Sequence, residues 1–239
     1  MVGAVDSAPE TVDPEAFVAE VRAELEPHLA AVLPDGPALP EGYLEHAARF
    51  CEALRRANER VNLTGIRDAR GMARLHVLDS LVALPLVAGR GPLMDLGSGC
   101  GVPGLPLGLA LPDTPVELVE SRQRKAATLG ELVDDLHGQG LAPQVSVSHA
   151  RGEQWLDLNE VGVVLTRAVG DVASQLELLA GRKHQFGTLL MLKGPGADEE
   201  LEKARPRLGR LGFAEPERHE VELPDGAGRR ILLAFAGEG

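Results

Sequence analysis

The sequence predicts an α/β protein, a mostly parallel sheet with helices on both faces, preceded by a helical cap. Three observations carry the prediction. Before residue 90 the apolar residues recur only at helical spacing. After it, short apolar runs alternate with amphipathic segments in a βαβα order, which folds into a parallel sheet covered on both sides. Between the two lies Leu93-Met94-Asp95-Leu96-Gly97-Ser98-Gly99-Cys100-Gly101-Val102-Pro103-Gly104, a short apolar run with one acid and then four glycines in eight positions. It reads as strand, tight loop and helix start.

Residues 1–12 are small and acidic without periodicity, as expected of a frayed end. From Pro14 to Leu33, Phe17, Val18, Val21, Leu25 and Leu29 mark one face of a helix, which the proline-rich segment from Leu33 to Pro40 ends. A second helix is expected from Tyr43 to Val61, burying Leu44, Ala47, Phe50, Cys51 and Leu54 and carrying Arg55, Arg56 and Arg60 outward. Asn62 to Asp68 is turn-rich, and a third helix from Gly71 to Val87 presents Met72, Leu75, Leu78, Leu81 and Val82. These helices form a cap over residues 13–90, and residues 91–239 form the second domain. There the expected strands are Leu93–Leu96, Val116–Val119, Gln144–Ser148, Val161–Leu165 and Thr188–Leu192. The helices between them run to Ala110, to Leu136, through Glu153–Leu156, over Asp171–His184 and over Glu199–Leu211. A closing hairpin around Pro224-Asp225-Gly226-Ala227-Gly228 adds one antiparallel edge strand.

Composition narrows the function. Of 239 residues 44% are hydrophobic, enough for a packed core. No run is long enough to span a bilayer and no secretion signal opens the chain, so a cytoplasmic protein is expected. Two cysteines without a Cys-x-x-Cys pair argue against a zinc site or a disulfide framework, and no metal is expected. A net charge of −12 argues against a broadly basic nucleic-acid binder, yet the charge is uneven. Residues 1–53 hold eleven acids and two arginines, whereas 54–76 hold six arginines and two acids. A basic patch is available there.

Ligands of such sheets bind at the carboxyl ends of the strands. Glycines at 97, 99 and 101 permit positive φ and close backbone approach, and Gly99-x-Gly101-x-x-Gly104 also fits the dinucleotide fingerprint, so the glycines alone leave nicotinamide, flavin and other adenosine ligands open. Asp95, two residues before Gly97, adds an acid able to take the amino group of a methionine moiety. Asp-x-Gly-x-Gly-x-Gly resembles the first motif of S-adenosylmethionine methyltransferases. Glu120, twenty-five positions on, stands where such folds place the carboxylate for the ribose hydroxyls. Gly152 and Glu153 follow the third strand, on the adenine side. Arg167 follows the fourth, facing the incoming substrate. The corner Leu165-Thr166-Arg167-Ala168 lacks the polar-Pro-Pro-aromatic motif of amine methylators, and neither cysteine stands where cytosine-carbon methylators place their nucleophile. An acceptor that is already nucleophilic, such as guanine N7, needs no general base, and no catalytic residue is assigned.

Joined in order, these phrases resemble a known family, the bacterial 16S rRNA guanine-N7 methyltransferases RsmG, also called glucose-inhibited division protein B. The likeness runs over roughly residues 43–235. It rests on Asn62-Leu63-Thr64 with Ile66-Arg67-Asp68, His76-Val77-Leu78-Asp79-Ser80-Leu81, the glycine loop through Leu107, Arg151-Gly152-Glu153, Arg167-Ala168 and Leu192-Lys193-Gly194. It implies a Rossmann-like class I methyltransferase fold and S-adenosyl-L-methionine as cofactor, held by Gly97, Val102, Gly152, Glu153 and Arg167. Asp95, Gly99, Gly101 and Glu120 join them from general methyltransferase logic. It implies methyl transfer to a guanine N7 of 16S rRNA, in the decoding-region loop of the small ribosomal subunit, by a monomer. Bulkier residues than Val102 and an alanine in place of Gly152 are common in the family, and Leu75 separates Arg74 from His76. The expected RNA contacts are Arg55, Arg56, Arg60, Arg67, Arg70, Arg74, His76 and Lys193, gathered at the cofactor mouth. Other functions compatible with the fold are a small-molecule or protein methyltransferase, a catalytically silent RNA-binding assembly factor and a dinucleotide-dependent oxidoreductase, the last disfavoured by Asp95.

Overall fold

The computed structural model describes residues 12–34 and 36–239, so the frayed end expected at 1–12 lies, but for Val12, outside the described residues. Helix α1 (Pro14–Leu25) opens with proline at its first position and the Asp13 carboxylate accepting from the Glu15 amide. The expected helix to Leu33 is not continuous. Pro27 lacks the amide hydrogen that would carry the ladder on, and Glu26–His28 tightens into a 3₁₀ turn before α2 (Leu29–Val32). Helix α3 (Tyr43–Arg60) starts after Gly42 at φ +78° and buries Tyr43, Ala47, Phe50, Cys51 and Leu54, with Leu44 only half-buried.

The third expected helix is also segmented. Asp68 caps α4 (Ala69–Met72) through the Gly71 amide at 2.7 Å, a wide π turn spans Ala73–Leu78, and α5 (Asp79–Leu81) and α6 (Leu84–Val87) follow. Wide turns of this kind recur at functional sites. Here it sets His76 and Asp79, both buried, beside the carboxyl end of the central strand that ends at Arg167, and leaves Leu75 half-buried.

The sheet follows as β1 (Leu93–Leu96), α7 (Gly104–Ala110), β2 (Val116–Glu120), α8 (Gln123–Gly138), β3 (Val145–His149), α9 (Gly152–Leu156), β4 (Val161–Arg167), α10 (Val172–Leu179), β5 (Phe186–Lys193), α11 (Ala197–Leu211), β6 (Glu217–Leu223) and β7 (Gly228–Ala236). Its order is β3-β2-β1-β4-β5-β7-β6, the first five strands parallel. Both hairpin strands join it, rather than the single edge strand expected. Apolar β7 lies antiparallel between β5 and β6, and β6, with Glu217, Arg218, Glu220 and Glu222, takes the edge. Charge suits an edge because it discourages pairing with another chain.

Side chains alternate across the sheet. Val163 and Leu165 face a core shared with Phe50, Leu54, Leu78 and Leu81 of the N-terminal helices, whereas Val164 faces Leu176 of α10 and Leu201 of α11. Strand order reverses between β1 and β4, where open α/β sheets form their crevice. Because β7 runs antiparallel, its start meets the carboxyl end of β5, with Ile231 opposite Lys193. Among the described residues no helix is long and apolar enough to cross a membrane.

Candidate active site

The glycine loop is held from below. The amides of Gly97 and Ser98 reach the Val119 carbonyl at 2.8 and 3.2 Å, and Ser98 Oγ donates to the Asp95 carbonyl at 2.7 Å. The Glu120 carboxylate accepts from the Gly99 amide through Oε2 at 3.1 Å and from the Arg122 amide through Oε1 at 2.7 Å. Gly99, at φ +57°, leaves the space where a side chain would begin unfilled, its nearest neighbour there being the Gly97 carbonyl at 3.8 Å. That space faces a cleft of about 540 Å³ lined by Gly97, Gly99, Val102, Glu120, Lys125 and Arg167. The size falls within the roughly 300–1,000 Å³ usual for small-molecule sites.

A second, smaller pocket adjoins it, sharing Gly97, Ser121 and Val169 and lined by Gly152 and Glu153. A side chain at Gly152 would strike Leu96 at 2.7 Å, so the wall here is backbone. A glycine-lined cleft, an acid at a strand end and an adjoining smaller pocket together fit an adenosine cofactor with a charged tail.

The opposite wall comes from the turn after α3. Asn58, buried on α3, accepts from the amides of Leu63 and Thr64 through Oδ1 and donates to the Thr64 carbonyl, which fixes Thr64 in the cleft. Thr64 Oγ1 accepts from the Ile66 amide and lies 3.0 Å from His76 Nε2, while His76 Nδ1 lies 3.1 Å from the Leu75 carbonyl. One tautomer satisfies all four groups: Nδ1–H donates to Leu75 and Nε2 accepts from the threonine hydroxyl. Burial, reinforced by the Arg167 charge, pushes the imidazole down to about 4, so His76 is neutral at physiological pH.

Arg167 ends β4 at the cleft, and Ala168 turns the chain at φ +56°, a left-handed conformation that costs a non-glycine residue energy and is common where function dictates backbone shape. Arg167 Nη1 lies 3.1 Å from Asp79 Oδ2, and Arg230 Nε donates to Asp79 Oδ1 at 2.5 Å. Beyond Arg167 and Ala168, which line both, opens a cavity of about 410 Å³ with Asp79, Lys193, Glu200 and Arg230 in its walls. Lys193 Nζ lies 2.9 Å from Glu200 Oε2 and donates to the Gly170 carbonyl.

Of the residues expected to hold the cofactor, Gly97, Gly99, Val102, Glu120 and Arg167 line the cleft, and Gly152 and Glu153 line its neighbour. Asp95 reaches neither. It is fully enclosed, its Oδ2 accepts from the Gly104 amide at 2.8 Å, and burial, outweighing that bond and the Arg167 charge, pushes its carboxyl up to about 7. In this structure the acid caps the start of α7 and does not line either pocket. Gly101 also faces inward, where a side chain would strike Leu105 at 2.6 Å.

The expected RNA contacts divide. Arg55 is engaged by Glu52 and Glu59, Arg56 by Asp135, Arg60 by Glu131, and buried Arg74 by Glu24 and Asp225. None of the four lines the cleft: α3 spends its three arginines on seams with α8 and on its own acids, and Arg74 is held between Glu24 and Asp225. Arg67 and Arg70 are exposed, Lys193 lines the second cavity, and His76 lines the cleft without a charge. Sequence reasoning gave no role to Thr64, Asp79, Arg122, Lys125, Glu200 and Arg230. Thr64 and Asp79 fall within the Asn62-Leu63-Thr64 and Leu78-Asp79-Ser80 phrases, whereas Arg230 carries no local signal, since only the antiparallel return of β7 brings it to the site.

Comparison with known proteins agrees with this geometry. The sequence model of the family rRNA small subunit methyltransferase G, GidB, matches residues 43–221. A ribosomal RNA small subunit methyltransferase G of Solibacter usitatus is 35% identical over 86% of this chain and 96% of its own length. Those of Sorangium cellulosum and Stenotrophomonas maltophilia are 37% and 34% identical over 88% and 92% of this chain and 86% and 96% of their own. Among solved structures, the methyltransferase domain of METTL16 superposes with a TM-score of 0.52 at 16% identity, over 95% of this chain and 93% of that one, a likeness of fold. With a class I methyltransferase sheet, a glycine-lined cleft at its switch point and relatives matched along nearly their whole length, this chain belongs to the rRNA small subunit methyltransferase G family.

Proposed function

We propose that this chain methylates N7 of a guanine in 16S rRNA, in the decoding-region loop of the small ribosomal subunit, with S-adenosylmethionine as methyl donor, and that it does so as a cytoplasmic monomer. One observation carries the choice of atom. Among the described residues at the Arg167 corner no group stands as a free base: Asp79 is ion-paired with Arg230 and Arg167, Glu200 is ion-paired with Lys193 through one of its two oxygens, and His76 Nε2 takes the Thr64 hydroxyl. Methylating an amino or hydroxyl group requires a proton acceptor. Guanine N7 presents a lone pair and no proton, so alignment suffices.

The residues present suit the donor. Glu120 takes the ribose hydroxyls, Gly152 and Glu153 take the adenine, and the backbone from Gly97 to Gly99 takes the amino-acid end, with Asp95 and Gly101 acting through the shape of the loop. When bound, S-adenosylmethionine supplies a methyl group made electrophilic by its sulfonium. Arg167, pinned by Asp79, shapes the passage between cleft and acceptor.

An acidic protein holds RNA with the cations it leaves unspent. Arg67, Arg70, Arg122, Lys125 and Arg151 have no carboxylate partner among the described residues. Arg122 and Lys125 line the cleft, Arg151 lines the adjoining pocket, and Arg67 follows Ile66 in the opposite wall. Phosphate contacts from this rim supply sequence-independent affinity, and an unpaired guanine supplies the choice of site. The test is transfer of labelled methyl to small subunits and to free 16S rRNA, followed by reduction and aniline treatment, which cuts RNA at N7-methylguanine. Label in the RNA with a single induced cut is expected; label without a cut overturns the N7 assignment.

A further inference from the structure

We propose that the cavity beyond Arg167 and Ala168 is the pocket for the target base, and that Glu200 reads guanine through its N1–H and N2–H₂ edge while Lys193 holds O6. The inference rests on the guanine-methylating function above and adds to it the residues that choose the base.

Position is the first argument. A methyl acceptor must stand in line with the donor, so it enters from the space next to the cofactor cleft, and Arg167 with Ala168 are the residues both spaces share. At about 410 Å³ the cavity has room for one splayed-out nucleotide.

Chemistry is the second. Glu200 Oε2 is engaged twice, by Lys193 Nζ at 2.9 Å and by the Val172 amide at 3.1 Å, whereas Oε1 takes no hydrogen bond among the described residues. Lys193, 8% exposed, spends its other contact on the Gly170 carbonyl. The pair therefore sets an ammonium donor beside a carboxylate acceptor. Guanine presents the complement, an O6 acceptor beside the N1–H and N2–H₂ donors. Adenine, placed with N7 toward the cleft, turns an amino group toward the lysine. Inosine keeps O6 and N1–H and lacks the N2 amine.

Energetics is the third. Asp79 and Lys193 are buried charges, and a pair that holds a buried charge repays little of its desolvation, so the two pairs around this cavity are poor stabilisers and good recognition groups. The walls carry Arg167, Arg230 and Lys193 against Asp79 and Glu200, which leaves a positive surplus for the nucleotide's phosphate.

The experiment uses the full chain and substrate RNAs carrying guanosine, inosine or adenosine at the methylated position. For the wild type, kcat/KM is expected to fall about tenfold to a hundredfold with inosine, the usual cost of a lost hydrogen bond to a charged group, and further with adenosine. Glu200→Gln keeps one oxygen, which Val172 and Lys193 hold, and turns an amide N–H₂ toward the base in place of an acceptor. It should slow guanosine and abolish the preference over inosine, with S-adenosylmethionine affinity, measured by calorimetry, at the wild-type value. Equal wild-type rates on guanosine and inosine, or an undiminished preference in the variant, would overturn the inference. Should no RNA accept label, the rRNA reading itself fails and this inference with it; the wild-type series needs no variant to fold.

Discussion

Asp79 and Arg230, 151 residues apart in the chain, meet at 2.5 Å where α5 faces the start of β7. The same carboxylate pairs with Arg167, so one buried acid ties the N-terminal helices to two strands of the sheet at the rim of the site. Removing one partner of a buried pair leaves the other charges uncompensated, a loss of about 3–5 kcal/mol. Asp79→Ala should lower unfolding stability by roughly that much in urea titrations and depress methyl transfer. Asp79→Asn, which keeps the shape, should lose less of both. Equal stability in Asp79→Ala would show that the two arginines find other partners.

Asp95 makes a prediction that separates its two possible roles. Its carboxyl, ordinarily at 3.8, sits at about 7 in the fold because it is buried. The folded chain holds a proton there that the unfolded chain has given up. The stability linked to this group is therefore complete below about pH 4 and is lost as pH rises toward 7. Asn in its place still accepts from the Gly104 amide and carries no charge. The melting temperature of Asp95→Asn should pull ahead of wild type as pH rises across that window and hold a constant lead above it. Cofactor affinity should stay near wild type in the same variant; a tenfold loss, about 1.4 kcal/mol, would instead mean that Asp95 touches the ligand.

His76 gives the opposite sign. Its ordinary value of 6.5 is depressed to about 4, chiefly by burial. As pH falls, the unfolded chain takes the proton first, so the stability linked to His76 is complete above about 6.5 and is lost on the way down to 4. His76→Gln should be less stable than wild type at pH 8, having lost the hydrogen bond from Thr64, and should close the gap as pH drops. A gap constant between pH 8 and pH 5 would show that the imidazole titrates in the fold as it does in the unfolded chain, and a gap that widens would show it held charged.

Much of this was legible beforehand where local chemistry decides. The strand, glycine loop and helix around Asp95 follow from residue types within a dozen positions, and Glu120 follows from a strand end. What sequence left out depends on long-range packing. Asp95 looks like a ligand group in sequence because an acid beside glycines is a local signal. That its oxygen turns inward to Gly104 depends on how closely α7 lies on β1. The arginines of α3 look like a nucleic-acid face until Asp135 and Glu131 of α8 stand opposite them. The expected helix from Pro14 to Leu33 runs through Pro27, because the apolar spacing of Leu25 and Leu29 outweighs one proline in a sequence reading, and the wide turn at Ala73–Leu78 contains neither proline nor glycine to mark it.

The last prediction concerns which cations meet RNA. Arg67 and Arg122 are exposed beside the cleft without carboxylate partners among the described residues, whereas Arg56 and Arg60 are spent on Asp135 and Glu131. Each phosphate contact contributes a slope of roughly 0.7–0.9 to the logarithm of affinity against the logarithm of salt. The double variant Arg67→Glu with Arg122→Glu should therefore raise the Michaelis constant for RNA and flatten its salt dependence by about one to two in slope. The double variant Arg56→Glu with Arg60→Glu should leave both at wild-type values and cost only a little stability, since exposed pairs are worth roughly 0–1 kcal/mol each. Both measurements come from initial rates between low and physiological salt. If the α3 pair moves the salt slope and the cleft pair does not, RNA lies along the seam of α3 and α8, and the cations beside the cleft are merely solvated.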